Sequence, residues 1–389
     1  TYDDPRVNWC YTAQTDPGLA GRAAFWPRGR VLGGSSSINA MAYVQGLPRD
    51  FDDWETAGAT GWNWQSVRET YAQLETRDRP GPDGRRRLSG SGPVHVSDVS
   101  DRMHPFTRHF LTAATQIGWP VTHDLNAVDQ GGVGALPGTV KNGRRWSSAD
   151  AHLRPALKRP NLRLISNALV ERIELEQGRA VGVRYRMRGR THLARVRGEV
   201  LLSAGAVNTP QLLHLSGIGP ADLLKRHGIG VRHDLPQVGR GLQDHLCLSH
   251  VFRATEPTLN NTLGHGLGRV LAGARYLLTR GGPLSLPVNQ IGGFVRSDPS
   301  ARTADLQIYC NPLSYRTDAS GRTSVAPAPG YLLCAPPCRP TSRGEIAIAS
   351  ADPCEAPMIQ PNSLSTEHDR EMAIKAGRVL HDLAQTPAI

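Results

Sequence analysis

Lysine is scarce in this chain: of 45 basic residues only four are Lys (Lys141, Lys158, Lys225 and Lys375), and 45 minus 4 leaves 41 Arg. Aromatic residues are also few, at 6%. The arginines are scattered along the sequence instead of gathering with aromatics into a stacking surface, which excludes a nucleic-acid-binding protein. The densest cluster, Gly84-Arg85-Arg86-Arg87, sits among Pro, Gly and Asp and reads as a solvated loop. Long apolar runs are missing too. Nothing approaches the roughly 18 to 20 uncharged residues of a spanning helix, so no integral membrane segment is expected. The six cysteines (Cys10, Cys247, Cys310, Cys334, Cys338 and Cys354) are too few and too dispersed for a disulfide framework in 389 residues. They read as free thiols in a reducing compartment, and Cys334-Ala-Pro-Pro-Cys338 has no second pair at zinc-site spacing, so no metal is expected.

What is present points to a globular enzyme. A length of 389 residues suits two or three domains, and 39% apolar with 20% charged residues excludes wholesale disorder. The 41 Gly and 29 Pro fit a loop-rich α/β or α+β architecture and exclude a helix-only fold. The arginine excess agrees with a GC-rich coding bias, hence with a bacterial, cytoplasmic protein; peripheral membrane association is left open. No intact dinucleotide fingerprint is found. Gly132-Val133-Gly134-Ala135-Leu136-Pro137-Gly138 follows Asp129-Gln130 and has Pro where a helix should open, so it reads as a turn. Gly264-His265-Gly266-Leu267-Gly268 fails on similar grounds.

Residues 1–30 read as irregular and lead into Arg28-Gly29-Arg30-Val31-Leu32-Gly33-Gly34-Ser35-Ser36-Ser37-Ile38-Asn39-Ala40-Met41-Ala42. Two glycines and three serines before a helix-forming run offer backbone amides and hydroxyls to an anion, although an ordinary capped helix would look the same. Residues 51–75 carry aromatics among helix formers, 77–92 read as a Pro/Gly/Arg loop and boundary, and 104–117 as an amphipathic helix. From Asn161 the apolar period falls to two, predicting a short antiparallel meander that includes Val170. Glu199-Val200-Leu201-Leu202 reads as a buried parallel strand, followed by small residues, an N-cap and first-turn proline at Thr209-Pro210, and helices over 211–215 and 220–227. Strand-like runs follow at 304–309, 331–334 and 345–348, then a helix over 368–383.

Gly29 to Asn39 and Gly205-Ala206-Val207-Asn208-Thr209-Pro210-Gln211-Leu212-Leu213-His214-Leu215-Ser216-Gly217-Ile218-Gly219 resemble the two signatures of the glucose-methanol-choline (GMC) oxidoreductases, flavoproteins that oxidise alcohols with FAD. Asn142-Gly143-Arg144-Arg145-Trp146-Ser147, Leu242-Gln243-Asp244-His245 and Ser342-Arg343-Gly344 are similar to segments of its choline-dehydrogenase-like members. The resemblance implies an FAD-binding Rossmann-like domain interleaved with a substrate domain of antiparallel sheet and helices. It assigns 1–82 and 160–250 to the first and 83–159 and 251–389 to the second. It implies that Val31, Gly33, Gly34, Ser35, Asn39, Ala40, Met41 and Ala42 line the flavin and its pyrophosphate, and that Val170 contacts the adenine. Ile38 stands where some members attach FAD through His, so the cofactor is expected to be held non-covalently.

The same resemblance implies an alcohol substrate, hydride transfer to flavin N5, and a quinone, a carrier or oxygen as acceptor. The family's glycine fingerprint and its catalytic His with a His or Asn partner are expected to lie outside the chain's two ends. No catalytic residue is therefore assigned; His123, His245, His250 and His265 carry no signal that singles one out. Gly241 replaces the family's usual Asn. The isolated chain is expected to bind FAD poorly, and two rival readings are a hydroxynitrile lyase on the same fold and a non-catalytic remnant.

Overall fold

The computed structural model describes residues 3–81, 83, 85–126, 131–317 and 323–389. Its largest sheet has five antiparallel strands in the order Leu248–Arg253, Gly330–Ala335, Leu306–Asn311, Ile291–Val295 and Gly132–Ala135. Alternation sends Leu306, Ile308, Cys310, Ile291, Val295, Leu333 and Val133 to one face. Two helices close over that face, Thr107–Gln116 through Phe110, Ala113 and Ala114, and Glu367–Ala384 through Met372, Ala376, Leu380 and Leu383. The spacing of the last four residues is one stripe of a 3.6-residue period, which is why 368–383 was readable as a helix.

Thr366 caps the Glu367–Ala384 helix, its hydroxyl accepting the Asp369 N–H at 3.3 Å and lying 2.6 Å from the Thr341 hydroxyl. Asp369 then turns outward from the helix and accepts from the Thr341 and Ser342 amides, each at 2.8 Å. Burial raises this carboxyl, but the donors from Ser342 and Thr341 outweigh burial and hold it at about 2. Thr366→Ala should lower the unfolding free energy by about 1 kcal/mol, measurable by urea titration, with the Asp369 contacts preserved.

A second core gathers Tyr11, Ala13, Trp26, Val207, Ile346 and Ile359. Here the hairpin Tyr11–Asp16/Arg22–Trp26 packs with the helix Gly205–Leu215 and with Gly344–Ala347 and Met358–Gln360. The expected meander is present as Leu169–Glu176, Arg179–Met187 and Arg190–Arg195, but 161–168, where its alternation was read to begin, forms no strand.

Several local expectations are corrected. Residues 1–30 contain that hairpin. Residues 77–92 are not a loop: Glu75–Pro80 pairs with Arg86–Gly90 and with Val94–Ser97. Arg86 is half-buried, bound to Asp78 at 2.8 Å and Asp101 at 3.0 Å, so cross-strand ion pairs replace the apolar alternation that would have marked a strand; Gly84 lies outside the described residues. Gly132–Ala135 is an edge strand, not a turn. A Cβ on Gly134 would stand 2.1 Å from the Thr122 carbonyl oxygen, and one on Gly293 1.9 Å from that of Gly132, so close strand approach explains the glycines; Asp129 and Gln130 lie outside the described residues. The run 199–202 forms no strand, and Leu201 is 79% exposed. An apolar run becomes a buried strand only where a neighbour takes its hydrogen bonds, and none does so here among the described residues.

Candidate functional site

The first glycine–serine segment does not start an α-helix. It forms one 3-10 turn, Gly34–Ser37, with Gly33 at φ 89° and Gly34 at φ 54°. The serines compete with helix hydrogen bonding: Ser36 Oγ donates to the Gly33 carbonyl at 2.6 Å and Ser37 Oγ to that of Leu32 at 2.8 Å. A Cβ at Gly33 would meet Ser37 Oγ at 2.5 Å and Ala149 Cβ at 3.1 Å, so only glycine fits the sharp approach.

The turn is held from outside. Asn142-Gly143, with φ 50° and 69°, closes the two-residue hairpin between Val140–Lys141 and Arg144–Arg145. That hairpin presents Arg145, which donates to the Ser36 carbonyl at 3.1 Å, to Asn39 Oδ1 at 2.7 Å and to the Asn39 carbonyl at 2.7 Å. Ser148 adds its amide to Ser36 Oγ at 2.9 Å and its hydroxyl to the Gly33 carbonyl at 3.0 Å. Asn39 Oδ1 also accepts the Met41 amide at 3.0 Å, and Met41 sits at φ 65°, a strained backbone for a side chain of its kind. Thr139 N–H donates to the Met41 carbonyl at 2.9 Å, Ala42 bridges Gly138, and Tyr43 OH donates to the buried Glu75 at 2.6 Å.

Val31, Gly33, Gly34, Ser35, Asn39, Ala40, Met41 and Ala42 therefore form one continuous surface; Val31 is 40% exposed and Ile38 is turned into the interior. Val170 lies apart from them, on the meander. It lines a cleft of about 330 Å³ with Tyr11, Ala204, Asn208 and Leu212 among its walls. Trp9 belongs to the same cleft, and the Arg30 guanidinium lies over its ring at 4.9 Å, so the residue preceding Val31 links cleft and turn.

The second signature builds this cleft. Its helix begins at Gly205, not at Thr209-Pro210, and Pro210 lies inside it. Ser216 Oγ accepts the Ile173 N–H at 2.8 Å and donates to the Leu212 carbonyl at 2.6 Å, tying the meander strand that carries Val170 to the helix. Asn208 Nδ2 donates to Tyr11 OH at 2.7 Å. His214 is fully buried: a Cβ on Gly219 would stand 2.4 Å from its ring, and one on Gly239 3.1 Å. Leu242 to His245 and Ser342 to Gly344 also converge, since Gln243 Nε2 and Arg343 Nη1 both donate to the Pro340 carbonyl at 3.0 Å. Of the four histidines weighed as bases, His123, His245 and His265 are exposed, while His250 edges the Phe252 ring. A dinucleotide needs an unhindered backbone turn for its phosphates and a partly apolar slot for its base. The glycine turn and the Val170 cleft have those properties, so the residues present fit FAD.

The sequence pattern of GMC oxidoreductases matches residues 12–247, and that of the family's C-terminal region matches 340–389. The chain belongs to the GMC oxidoreductase family. It is 42% identical over 369 residues to the mitochondrial choline dehydrogenase of Homo sapiens, covering 95% of this chain and 61% of that protein. It is 39% identical over 383 residues to "Alcohol dehydrogenase [acceptor]" of Pseudomonas putida, covering 97% and 68%. Among solved structures, the pyridoxine 4-oxidase from Mesorbium loti superposes with a TM-score of 0.83 at 29% identity, covering 98% of this chain and 70% of the oxidase. The chain thus spans about three-fifths of the length of the human relative. This GMC oxidoreductase has the mixed α/β fold expected from its sequence. Among the described residues no helix is long and apolar enough to cross a membrane.

Arg145, Ser148, Ser36 and Thr139 were not singled out from the sequence. The signal was present in Asn142 to Ser147, which resembles the family but shows no function until Arg145 is seen on Asn39.

Proposed function

We propose that the whole protein oxidises an alcohol to an aldehyde or ketone, with FAD as its non-covalently held cofactor. When bound, the flavin would supply a hydride acceptor at N5. The observation that carries this reading is the Arg145 clamp on the Gly33–Met41 surface, in a chain of this family. In it, Val31, Gly33, Gly34, Ser35 and Asn39 to Ala42 hold the flavin side and the pyrophosphate, and Val170 holds the adenine. Ile38 is 5% exposed and carries only hydrocarbon, which supports non-covalent binding.

The flavin part comprises 1–82 and 160–250, and the substrate part 83–159 and 251–389. Within 251–389, Ile346, Ile348 and Ile359 pack against the flavin part and join the two parts. The names of the three relatives favour oxidation over cyanohydrin cleavage. A quinone, a carrier or oxygen takes the electrons, and the protein works in the bacterial cytoplasm or at a membrane surface.

The test is the visible spectrum of the purified protein under anaerobic conditions, before and after choline and a panel of primary alcohols. Choline heads the panel because the human relative bears that name. A flavin band bleached by one alcohol supports the reading and identifies the substrate class. A flavin band that no alcohol bleaches, in a protein that cleaves cyanohydrins, overturns it in favour of a lyase; absence of flavin removes the cofactor assignment.

A further inference from the structure

The face of the five-stranded sheet turned away from the two helices carries a cluster that the flavin reading does not use. Ser249 and Tyr309 are both register partners of Cys334, so three side chains from three adjacent strands meet on one face. Cys247, one residue before the Leu248–Arg253 strand, completes the group. Its sulfur lies 3.2 Å from Tyr309 OH and 3.7 Å from Ser249 Oγ, while Ser249 Oγ lies 3.3 Å from Cys334 Sγ. Ser249 Oγ thus stands between the two sulfurs and contacts both. Cys247 is half-buried and Ser249 exposed, so small solutes reach the cluster, whereas Cys334 is 1% exposed.

We propose that Cys247 and Cys334 are a peroxide-oxidised thiol pair, with Cys247 the attacking thiolate and Cys334 the resolving thiol. The Cys334, Tyr309 and Ser249 donors around the Cys247 sulfur hold its pKa well below the usual thiol range, while the Cys247 contact and burial push Cys334 up. In the first step the Cys247 thiolate attacks one oxygen of a hydroperoxide, the O–O bond breaks, and the second oxygen leaves as hydroxide or alkoxide. Cys247 becomes a sulfenic acid, oxidised by two electrons as the peroxide is reduced by two. In the second step the Cys334 sulfur attacks the Cys247 sulfur; the S–O bond breaks, water leaves with the Cys334 proton, and a disulfide forms. Residue 247 lies just outside the ladder while Cys334 is fixed between two strands, so closing the disulfide requires the backbone at 247 to move toward Cys334. Cys310, one residue after Tyr309, points to the opposite face, into the core under the two helices and out of reach of this cluster.

The inference is independent of the flavin reading, and its test needs no turnover. Reduced protein is treated with limiting hydrogen peroxide, alkylated and mapped by peptide mass spectrometry; a parallel sample receives iodoacetamide alone at neutral pH. A linked Cys247–Cys334 peptide lighter by two hydrogens, with Cys247 alkylated about tenfold faster than the exposed Cys354, supports the pair. In Cys334→Ser the oxidised Cys247 should persist and be trapped by dimedone; in Cys247→Ser, Cys334 should stay reduced. Fast alkylation of Cys247 without a linked peptide, or oxidation falling first on Cys354 or Cys10, overturns it. If either variant misfolds, the wild-type map alone decides.

Discussion

Replacing Arg145 by Ala should weaken flavin retention by about 100-fold, more than removal of any single residue of the turn itself. The guanidinium makes three charge-assisted hydrogen bonds, to the Ser36 carbonyl, the Asn39 carbonyl and Asn39 Oδ1. Hydrogen bonds to a charged group contribute about 1.5–3 kcal/mol each when an orphaned partner is left behind, less where water can replace them as it can at Asn39. Two to three kcal/mol of lost pre-organisation corresponds to roughly 30- to 150-fold in affinity. The loss falls on the turn because Met41 occupies left-handed backbone that a residue with a side chain does not favour. Arg145→Lys should recover only part of the effect, since an ammonium on a flexible stem cannot span two carbonyls and an amide oxygen as a planar fork does. Flavin fluorescence titration measures the affinity, and limited proteolysis over 33–41 reports whether the turn has loosened. Wild-type affinity in Arg145→Ala would show that the turn keeps its shape without the clamp or that it is not where the flavin binds.

The limits of reading this chain from its residues follow from the same clamp. The meander and the C-terminal helix were legible because their periodicity is written locally: alternation over 169–187, and Met372, Ala376, Leu380 and Leu383 on one stripe. The Gly33 to Met41 residues read as the start of a helix and not as a clamped turn, because the group that shapes the turn arrives from 106 residues away. Glycine strands were missed for a related reason. Gly132, Gly134 and Gly293 lack side chains so that neighbouring backbones can approach, and that demand is set by partners distant in the chain. The run 199–202 shows the reverse error, an apolar pattern that predicts a strand when no partner strand accompanies it among the described residues. His214 is the clearest case inside a signature. Its place between Leu213 and Leu215 looks like a polar interruption of an apolar helix, and only the packed fold reveals a ring fitted against Gly219 and Gly239.

Acidification from pH 7 to pH 5 should destabilise the protein well before its carboxylates titrate, and His214 should account for a separable share. The ring is fully buried; Nε2 lies 3.2 Å from the Val238 carbonyl, and Nδ1 has no partner among the described residues. Burial therefore lowers its pKa below the ordinary value of 6.5, the Val238 carbonyl opposing only in part. His104 is lowered by burial, and His95 by burial against the opposing pull of Asp78. For each group the folded value lies below the unfolded one, so between the two values the unfolded chain binds the proton and the folded chain does not. Stability is thus complete above about pH 6.5 and falls as pH drops toward the lowered folded value, by about 1.4 kcal/mol per pH unit for each histidine inside its window. His214→Gln should cost stability at every pH, because Gly219 and Gly239 leave a ring-shaped space that an amide fills poorly. Its diagnostic effect is on the slope: urea midpoints converted to free energies at pH 7, 6 and 5 should fall less steeply than in the wild type. An unchanged slope would mean that His214 takes up its proton in the folded state, which a ring with an unpartnered buried Nδ1 is not built to do.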